Sequence, residues 1–247
     1  MRFLDLTLPS PAENLACDEA LLDWCESGEG AECLRFWESP EPFVVVGYAN
    51  KVAAEVNAAA CEARKIPILR RCSGGGTVVQ GPGCLNYTLV LHITKDGPLR
   101  NITAANQFIM EQNRKAVNSI NHQPSTINCS VCGHTDLTLN SQLSTLNKFS
   151  GNAQRRRKDF LLFHGTFLLN FDLALVGELL RMPSMEPDYR ESRKHADFLT
   201  NINVSAEKVK AALQTAWDAD SLLAPPLEEI KVLAREKYSA NEWNFKY

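Results

Sequence analysis

Arg70-Arg71-Cys72-Ser73-Gly74-Gly75-Gly76-Thr77-Val78-Val79 lies between apolar, strand-like runs, and its reading governs the rest of the chain. Three successive glycines remove every Cβ from the turn, so backbone N–H groups can approach an anion or a flat ligand closely. The two arginines before it carry guanidinium forks suited to carboxylate or phosphate. The familiar nucleotide loops do not fit. No lysine follows the glycines, Gly74, Gly76 and Val79 fail the G-x-G-x-x-G pattern, and no helix-forming stretch comes next. A tight hairpin with surface arginines would use the same residue types.

Outward from that stretch, residues 67–72, 76–80 and 85–92 read as strands, with Gly81-Pro82-Gly83 as a turn. Upstream, residues 2–7, 33–38 and 43–47 alternate or run apolar as strands do. Ser10-Pro11-Ala12-Glu13 carries a capping box with proline at the first helical position, and Gly28 suits the end of the helix it opens. Residues 52–65 are alanine-rich and helical, and residues 103–120 form a further helix. Downstream, 121–135 is polar and loop-like, while 136–140, 146–150 and 160–170 form a second set of strands. Residues 172–181, 206–218 and 227–239 are helical. Strands in clusters, rather than alternating with helices, predict an α+β fold with mixed or antiparallel sheets packed with helices. With no internal repeat, low-complexity tract or linker, residues 1–247 are expected to form a single domain.

Composition excludes several classes. Of 247 residues, 45% are hydrophobic and 22% charged, as in a soluble globular protein. A net charge of −3 gives no electrostatic footprint for nucleic acid. No apolar run approaches the ~18 residues of a membrane span, and the N-terminus has no signal-peptide core. Eight cysteines in a chain of this length are too sparse for a disulfide scaffold, so free thiols in a reducing cytoplasm are expected.

Four further segments could carry chemistry. Lys148 stands in a strand-like stretch followed by small and amide residues, Ser150-Gly151-Asn152-Ala153. A lysine turned into a pocket there could hold a carboxylate and a phosphate together, although a solvated surface lysine is the commoner case. His164 is either a general base or a hydrogen-bonded histidine at a strand end. Arg155-Arg156-Arg157-Lys158 is a solvated hairpin tip or a docking patch for an acidic carrier domain. Cys129-Ser130-Val131-Cys132 lacks the second ligand pair of a zinc site, so no metal is expected; ordinary thiols are the default, with a nucleophilic cysteine as the chemical reading.

Taken together, these segments resemble the lipoate–protein ligase family, within the biotin/lipoate ligase and octanoyltransferase superfamily. The likeness runs in order over about residues 2–202: Asn14-Leu15-Ala16 with Asp18-Glu19; Arg70-Arg71 with Ser73 to Val78; Leu85-Asn86; Gly133 with Asp136-Leu137; Lys148 with Ser150-Gly151 and Ala153; and His164-Gly165-Thr166. It implies a catalytic domain like that of class II synthetases. Arg71, Gly76, Thr77, Val78, Val79, Asp136 and Lys148 would meet a nucleotide, and Lys148 would bridge acyl carboxylate and phosphate. Arg70, Ser73, Gly74, Gly75 and Lys148 would bind the acyl group, with an apolar slot fed by Val44, Val45, Val46, Val78 and Leu89.

The activity so implied is ATP-dependent: lipoate or octanoate is adenylated with Mg²⁺ and passed to a lysine of a lipoyl-carrier domain or a glycine-cleavage H-like protein. The chain ends at Tyr247, before the position where many such ligases carry an accessory domain, which would imply a separate accessory protein. The alternative is an octanoyl or lipoyl transferase that takes its acyl group from a carrier thioester without ATP, through Cys129 or Cys132. The segment from Pro187 to Phe198 mixes charge with aromatics, either as a loop closing over the site or as an ion-pair cluster.

Overall fold

Residues 84–92, CLNYTLVLH, are buried at all but the last position, as suits a strand covered on both faces. The computed structural model describes residues 1–122, 125–140, 146–183 and 185–247, with residues 121, 122, 125 and 126 described for backbone only. The strands are β1 (Arg2–Asp5), β2 (Cys33–Trp37), β3 (Phe43–Val46), β4 (Ile68–Arg70), β5 (Val78–Gln80), β6 (Cys84–His92), β7 (Asn121–His122), β8 (Ser125–Thr126), β9 (Cys129–Cys132), β10 (Asp136–Asn140), β11 (Leu146–Arg156), β12 (Phe160–Leu168) and β13 (Ser221–Leu222). An eight-stranded sheet has the order β13-β1-β2-β6-β12-β11-β10-β9, and β4-β3-β5 form a three-stranded sheet. Both are mixed: β1 runs parallel to β13 and β2, β3 runs parallel to β4, and the other pairings are antiparallel. The expected α+β class with mixed sheets is what the chain adopts.

Side-chain alternation divides the large sheet into two faces. One carries Leu34 and Phe36 of β2, Leu85, Tyr87, Leu89 and Leu91 of β6, and Leu161, Phe163 and Phe167 of β12. Helices α4 (Ile102–Asn118) and α7 (Ala206–Ala216) cover that face with residues such as Ile109, Val117 and Leu213. The other face carries Cys33, Trp37, Val90 and Leu162, under α1 (Pro11–Glu26) and α8 (Leu227–Leu233). Helix α1 begins as its sequence predicts. The Ser10 hydroxyl accepts from the Glu13 N–H, and the Glu13 carboxylate accepts from the Ser10 N–H. Among the described residues no helix is long and apolar enough to cross a membrane.

Three expectations about elements fail. Residues 52–65 are two short helices, α2 (Val52–Glu55) and α3 (Ala58–Ala63), because Val56 leaves the helix to form a bridge with Leu180. The stretch 121–135 is not all loop: β7 and β8 pair, and β9 forms the edge of the large sheet; Gln123 and Pro124 lie outside the described residues. Strand β11 runs on through Arg156, well past residue 150. The proposed slot is also dispersed. Val44 and Val46 belong to a core with α3 and α5 (Ala174–Leu179), Val45 packs with α1, and Leu89 lies under α4. These four residues belong to three separate apolar clusters.

Candidate functional site

Strand register places the polar residues in two adjacent rows on the α1 face. Arg35, Thr88, His164 and Ala153 stand side by side across β2, β6, β12 and β11. Beside them run Asn86, Thr166, Gly151, Asp136 and Cys132 across β6, β12, β11, β10 and β9. Directly opposed residues share a face and alternate residues return to it, so both rows look the same way.

At the outer end, Lys148 joins these rows through an irregularity. Leu137 pairs with Ser150 but Thr138 with Lys148, so Phe149 is an extra residue, buried in the core. The bulge turns the Lys148 side chain toward Gly151, where an added Cβ would lie 2.9 Å from Lys148 Cε and Nζ. Lys148 Nζ meets Asp136 Oδ1 at 2.8 Å, both side chains mostly buried. Asp136 Oδ2 accepts from the Tyr189 hydroxyl at 2.7 Å. Burial and the charge of Asp136 push the Tyr189 phenol far up, so it stays protonated and keeps donating. The 187–198 segment, which ends in α6 (His195–Phe198), folds over this group: the Tyr189 ring packs on Phe198, and Arg193 donates to Asn147 Oδ1 and to the Leu146 and Tyr189 carbonyls. Hydrogen bonds and ring packing, rather than ion pairs within the segment, hold it there.

Cys132 lies opposite Asp136 and is partly exposed, its Sγ 3.2 Å from Thr138 Oγ1. Cys129 is three residues earlier on the strand and faces the other way. It is buried in the core under α4, and burial pushes its thiol up to about 12. Residues i and i+3 of one strand point to opposite faces, so the C-x-x-C cannot act as a pair. The two candidate cysteines are thereby separated.

At the inner end stands the triglycine loop. Arg71 is buried and donates to the carbonyls of Gly74 and Gly76 and to Ser73 Oγ. Burial lowers its guanidinium to about 10, so it remains a cation near neutral pH. Gly75 has φ +84°, and a Cβ there would lie 2.9 Å from Arg71 Nη2 and 3.4 Å from Ala153 Cβ. Gly151 and Ala153 are two residues apart on one face, ~7 Å along the strand. The Lys148 amine and the glycine loop therefore occupy neighbouring positions over the same surface.

Beneath the loop, Ser73 Oγ is 2.6 Å from His164 Nε2, and His164 Nδ1 is 2.9 Å from Asp18 Oδ2. Asp18 Oδ1 accepts from Arg35 Nη1 at 2.6 Å. Burial pushes the Asp18 carboxyl up, but the His164 hydrogen bond and the Arg35 charge outweigh it, leaving it below the ordinary carboxylate range. His164 is thus hydrogen-bonded at both ring nitrogens, in mid-strand rather than at a strand end. The His164–Asp18 link was the part sequence could not show, since 146 residues separate the two.

Several sequence-predicted contacts lie elsewhere. Arg70 is fully buried and spends its guanidinium on the carbonyls of Gly47, Tyr48, Asn50, Trp243 and Asn244, so it braces the loop rather than an acyl group. Val79 is in the core, Val78 is 37% exposed, and Thr77 meets Asn50. The basic run is a hairpin tip as expected, but not a free patch: Arg155 lies over Tyr48, Arg156 donates to the Leu99 carbonyl, and Arg157 pairs with Asp23.

Eight strands in one mixed sheet, with a smaller three-stranded sheet and helices on both faces, define a class of fold that solved structures share. A bipartite lipoate protein ligase from Thermoplasma acidophilum, determined with its E2 lipoyl domain, superposes with a TM-score of 0.79 at 24% identity, covering 99% of this chain and 95% of that one. A lipoate-protein ligase A bound with ATP gives 0.72 at 26% identity, covering 99% and 98%. The chain belongs to the family described as the lipoyl protein ligase A/B catalytic domain, whose model matches residues 10–217. Among curated proteins, octanoyltransferase LipM of Geobacillus kaustophilus strain HTA426 is 27% identical over 277 residues, covering 99% of this chain and 98% of that protein. LipM of Bacillus subtilis strain 168 is 25% identical over the same span, with the same coverage. These relatives overturn the expectation of an ATP-dependent ligase. An octanoyltransferase moves an acyl group that is already activated, so the adenylate, ATP and Mg²⁺ are withdrawn. The nucleotide roles given to Arg71, Gly76, Thr77, Val78, Val79, Asp136 and Lys148 go with them.

Proposed function

We propose that residues 1–247 work as one catalytic domain that transfers an octanoyl or lipoyl-type acyl group, through a thioester on Cys132, to a lysine of a lipoyl-carrier domain. The observation that carries this reading is the grouping of partly exposed Cys132 with Thr138, Asp136 and Lys148 on one face, while Cys129 is buried on the other. The octanoyltransferase names of full-length relatives support the acyl group and the reaction class. The T. acidophilum ligase, solved with an E2 lipoyl domain, supports the kind of acceptor.

The chemistry follows from the residues. The thiolate form of a cysteine is the nucleophile. The Cys132 thiolate attacks the acyl carbon of a thioester donor; the new Sγ–C bond forms, the donor C–S bond breaks, and the leaving thiolate takes a proton from the Lys148 ammonium. The acceptor amine then attacks the same carbon, Lys148 accepts the proton shed as the amide forms, and Cys132 leaves as thiolate. Asp136, steadied by Tyr189, keeps the Lys148 amine in place throughout.

The test mixes the protein with an octanoyl carrier-protein thioester and reads intact mass, without ATP. An octanoyl adduct that maps to Cys132, disappears in Cys132→Ser and persists in Cys129→Ser supports the reading. A fully active Cys132→Ser, or turnover only when ATP is added, sinks it.

A further inference from the structure

With a neutral imidazole at His164, the hydrogen bonds at the inner end form one ordered relay. Asp18 has its carboxyl held low by its partners and takes Nη1–H of Arg35 on Oδ1. Its Oδ2 can only accept, so His164 presents Nδ1–H to it. That tautomer leaves a lone pair on Nε2, and the Ser73 hydroxyl donates to it across 2.6 Å. Ser73 Oγ in turn accepts from Arg71 Nε at 3.0 Å. The serine thus has a base for its proton, a carboxylate orienting that base, and a cation beside its oxygen. This is the arrangement that activates a hydroxyl as a nucleophile.

The surroundings suit attack on a carbonyl. Ser73 is buried, but Gly74, Gly75 and Gly76 directly after it are exposed. A Cβ at Gly74 or Gly76 would meet nothing within 4 Å, so no side chain blocks the approach over the loop. Among the described residues the N–H groups of these three glycines have no protein acceptor. Backbone donors next to a nucleophile are what stabilises a tetrahedral oxyanion. On the sheet, His164 of β12 and Cys132 of β9 are three strands apart, ~14 Å at the usual spacing. The serine is therefore a separate centre from the thiol.

We infer that Ser73, His164 and Asp18 form a second nucleophilic centre, with esterase or thioesterase capacity toward medium-chain acyl esters. The step balances simply. Ser73 Oγ bonds to the acyl carbon, the ester C–O or C–S bond breaks, and the Ser73 proton passes to His164 Nε2 and on to the leaving group. Water then releases the acid by the reverse proton path. The chain length of the ester rests on the octanoyl reading above; the nucleophile does not.

The probe is an octyl fluorophosphonate, in which Ser73 Oγ would displace fluoride from phosphorus, applied to a Cys132→Ser background so that the partly exposed Cys132 thiol does not contribute. Peptide mapping should find the adduct on Ser73. His164→Gln should slow labelling by at least about 100-fold, the usual scale for a lost general base. Ser73→Ala should remove the adduct while retaining the parent's circular dichroism spectrum. Because the first readout needs no relay variant, misfolding of His164→Gln would not rescue the idea. No adduct on Ser73 in folded protein, or equal labelling in folded His164→Gln, overturns it. Either result leaves the Cys132 reading to be judged on its own mass shift.

Discussion

Among the described residues Lys148 has a single close anion, Asp136, which is itself held by Tyr189. Lys148→Met keeps most of the volume and deletes the charge. Acyl transfer should fall by about 10²–10⁴-fold, the range for a lost proton donor and acceptor, with little change in the thermal midpoint. Stopped acyl transfer to a lipoyl domain, followed by mass, checks it. Asp18 behaves differently because it is fully buried against Arg35 and His164. Asp18→Asn removes the counter-charge of a buried guanidinium and should cost about 3–5 kcal/mol in urea unfolding. The sign of the pH effect follows from its lowered folded-state value. Such a carboxylate stabilises the fold at pH values above its unfolded value, and that contribution fades as pH falls through the folded value. The urea midpoint should therefore drop on acidification in the parent, and the slope should be shallower in Asp18→Asn.

At the scale of elements, the triglycine loop is fitted against its neighbour strand with no room for a methyl group. A Cβ on Gly47 would lie 2.1 Å from the Gly75 carbonyl oxygen, and backbone cannot swing aside as a side chain can. Gly47→Ala should cost about 1–3 kcal/mol as an overpacking change and slow transfer, whereas Gly74→Ala, pointing into open space, should keep the parent's urea midpoint. Legibility in the sequence followed the range of the contacts. The capping box at Ser10 was readable because both of its hydrogen bonds close within three residues. The break at Val56 was not, because its cause is Leu180 on a distant segment. Strand β9 was hidden by its polar composition; a sheet edge needs only one apolar face, and there Cys129 and Val131 supply it. The glycine loop and Lys148 stood out as motifs. Nothing local said that Arg70 would turn away while Arg71 turned in, or that Cys129 and Cys132 would part across the sheet.

Across the whole molecule, one buried hydrogen-bond chain ties the helical layer to the site. Trp217 of the α7 C-cap donates to Asn113 of α4, Asn113 donates to the Tyr87 hydroxyl, and that hydroxyl donates to Asn152 Oδ1. Asn152 then clasps Thr135 in both directions, at 2.7 and 2.8 Å, one residue before Asp136. The chain runs along the α4 face of the sheet over Gly165, where any Cβ would strike the Asn152 carboxamide. Tyr87→Phe keeps the ring packed on Phe167 but leaves Asn113 Nδ2 and Asn152 Oδ1 short of a partner. Each such buried group costs about 1–3 kcal/mol. The urea midpoint should fall at unchanged m-value, and the turn carrying Thr135 and Asp136 should lose amide-exchange protection. Ser10→Ala provides the control, since loss of a helix cap costs about 1 kcal/mol far from Asp136. If the chain orients the Asp136–Lys148 pair, Tyr87→Phe slows acyl transfer below the unfolding range and Ser10→Ala does not. Equal rates in the two variants would confine the chain to holding the layers together.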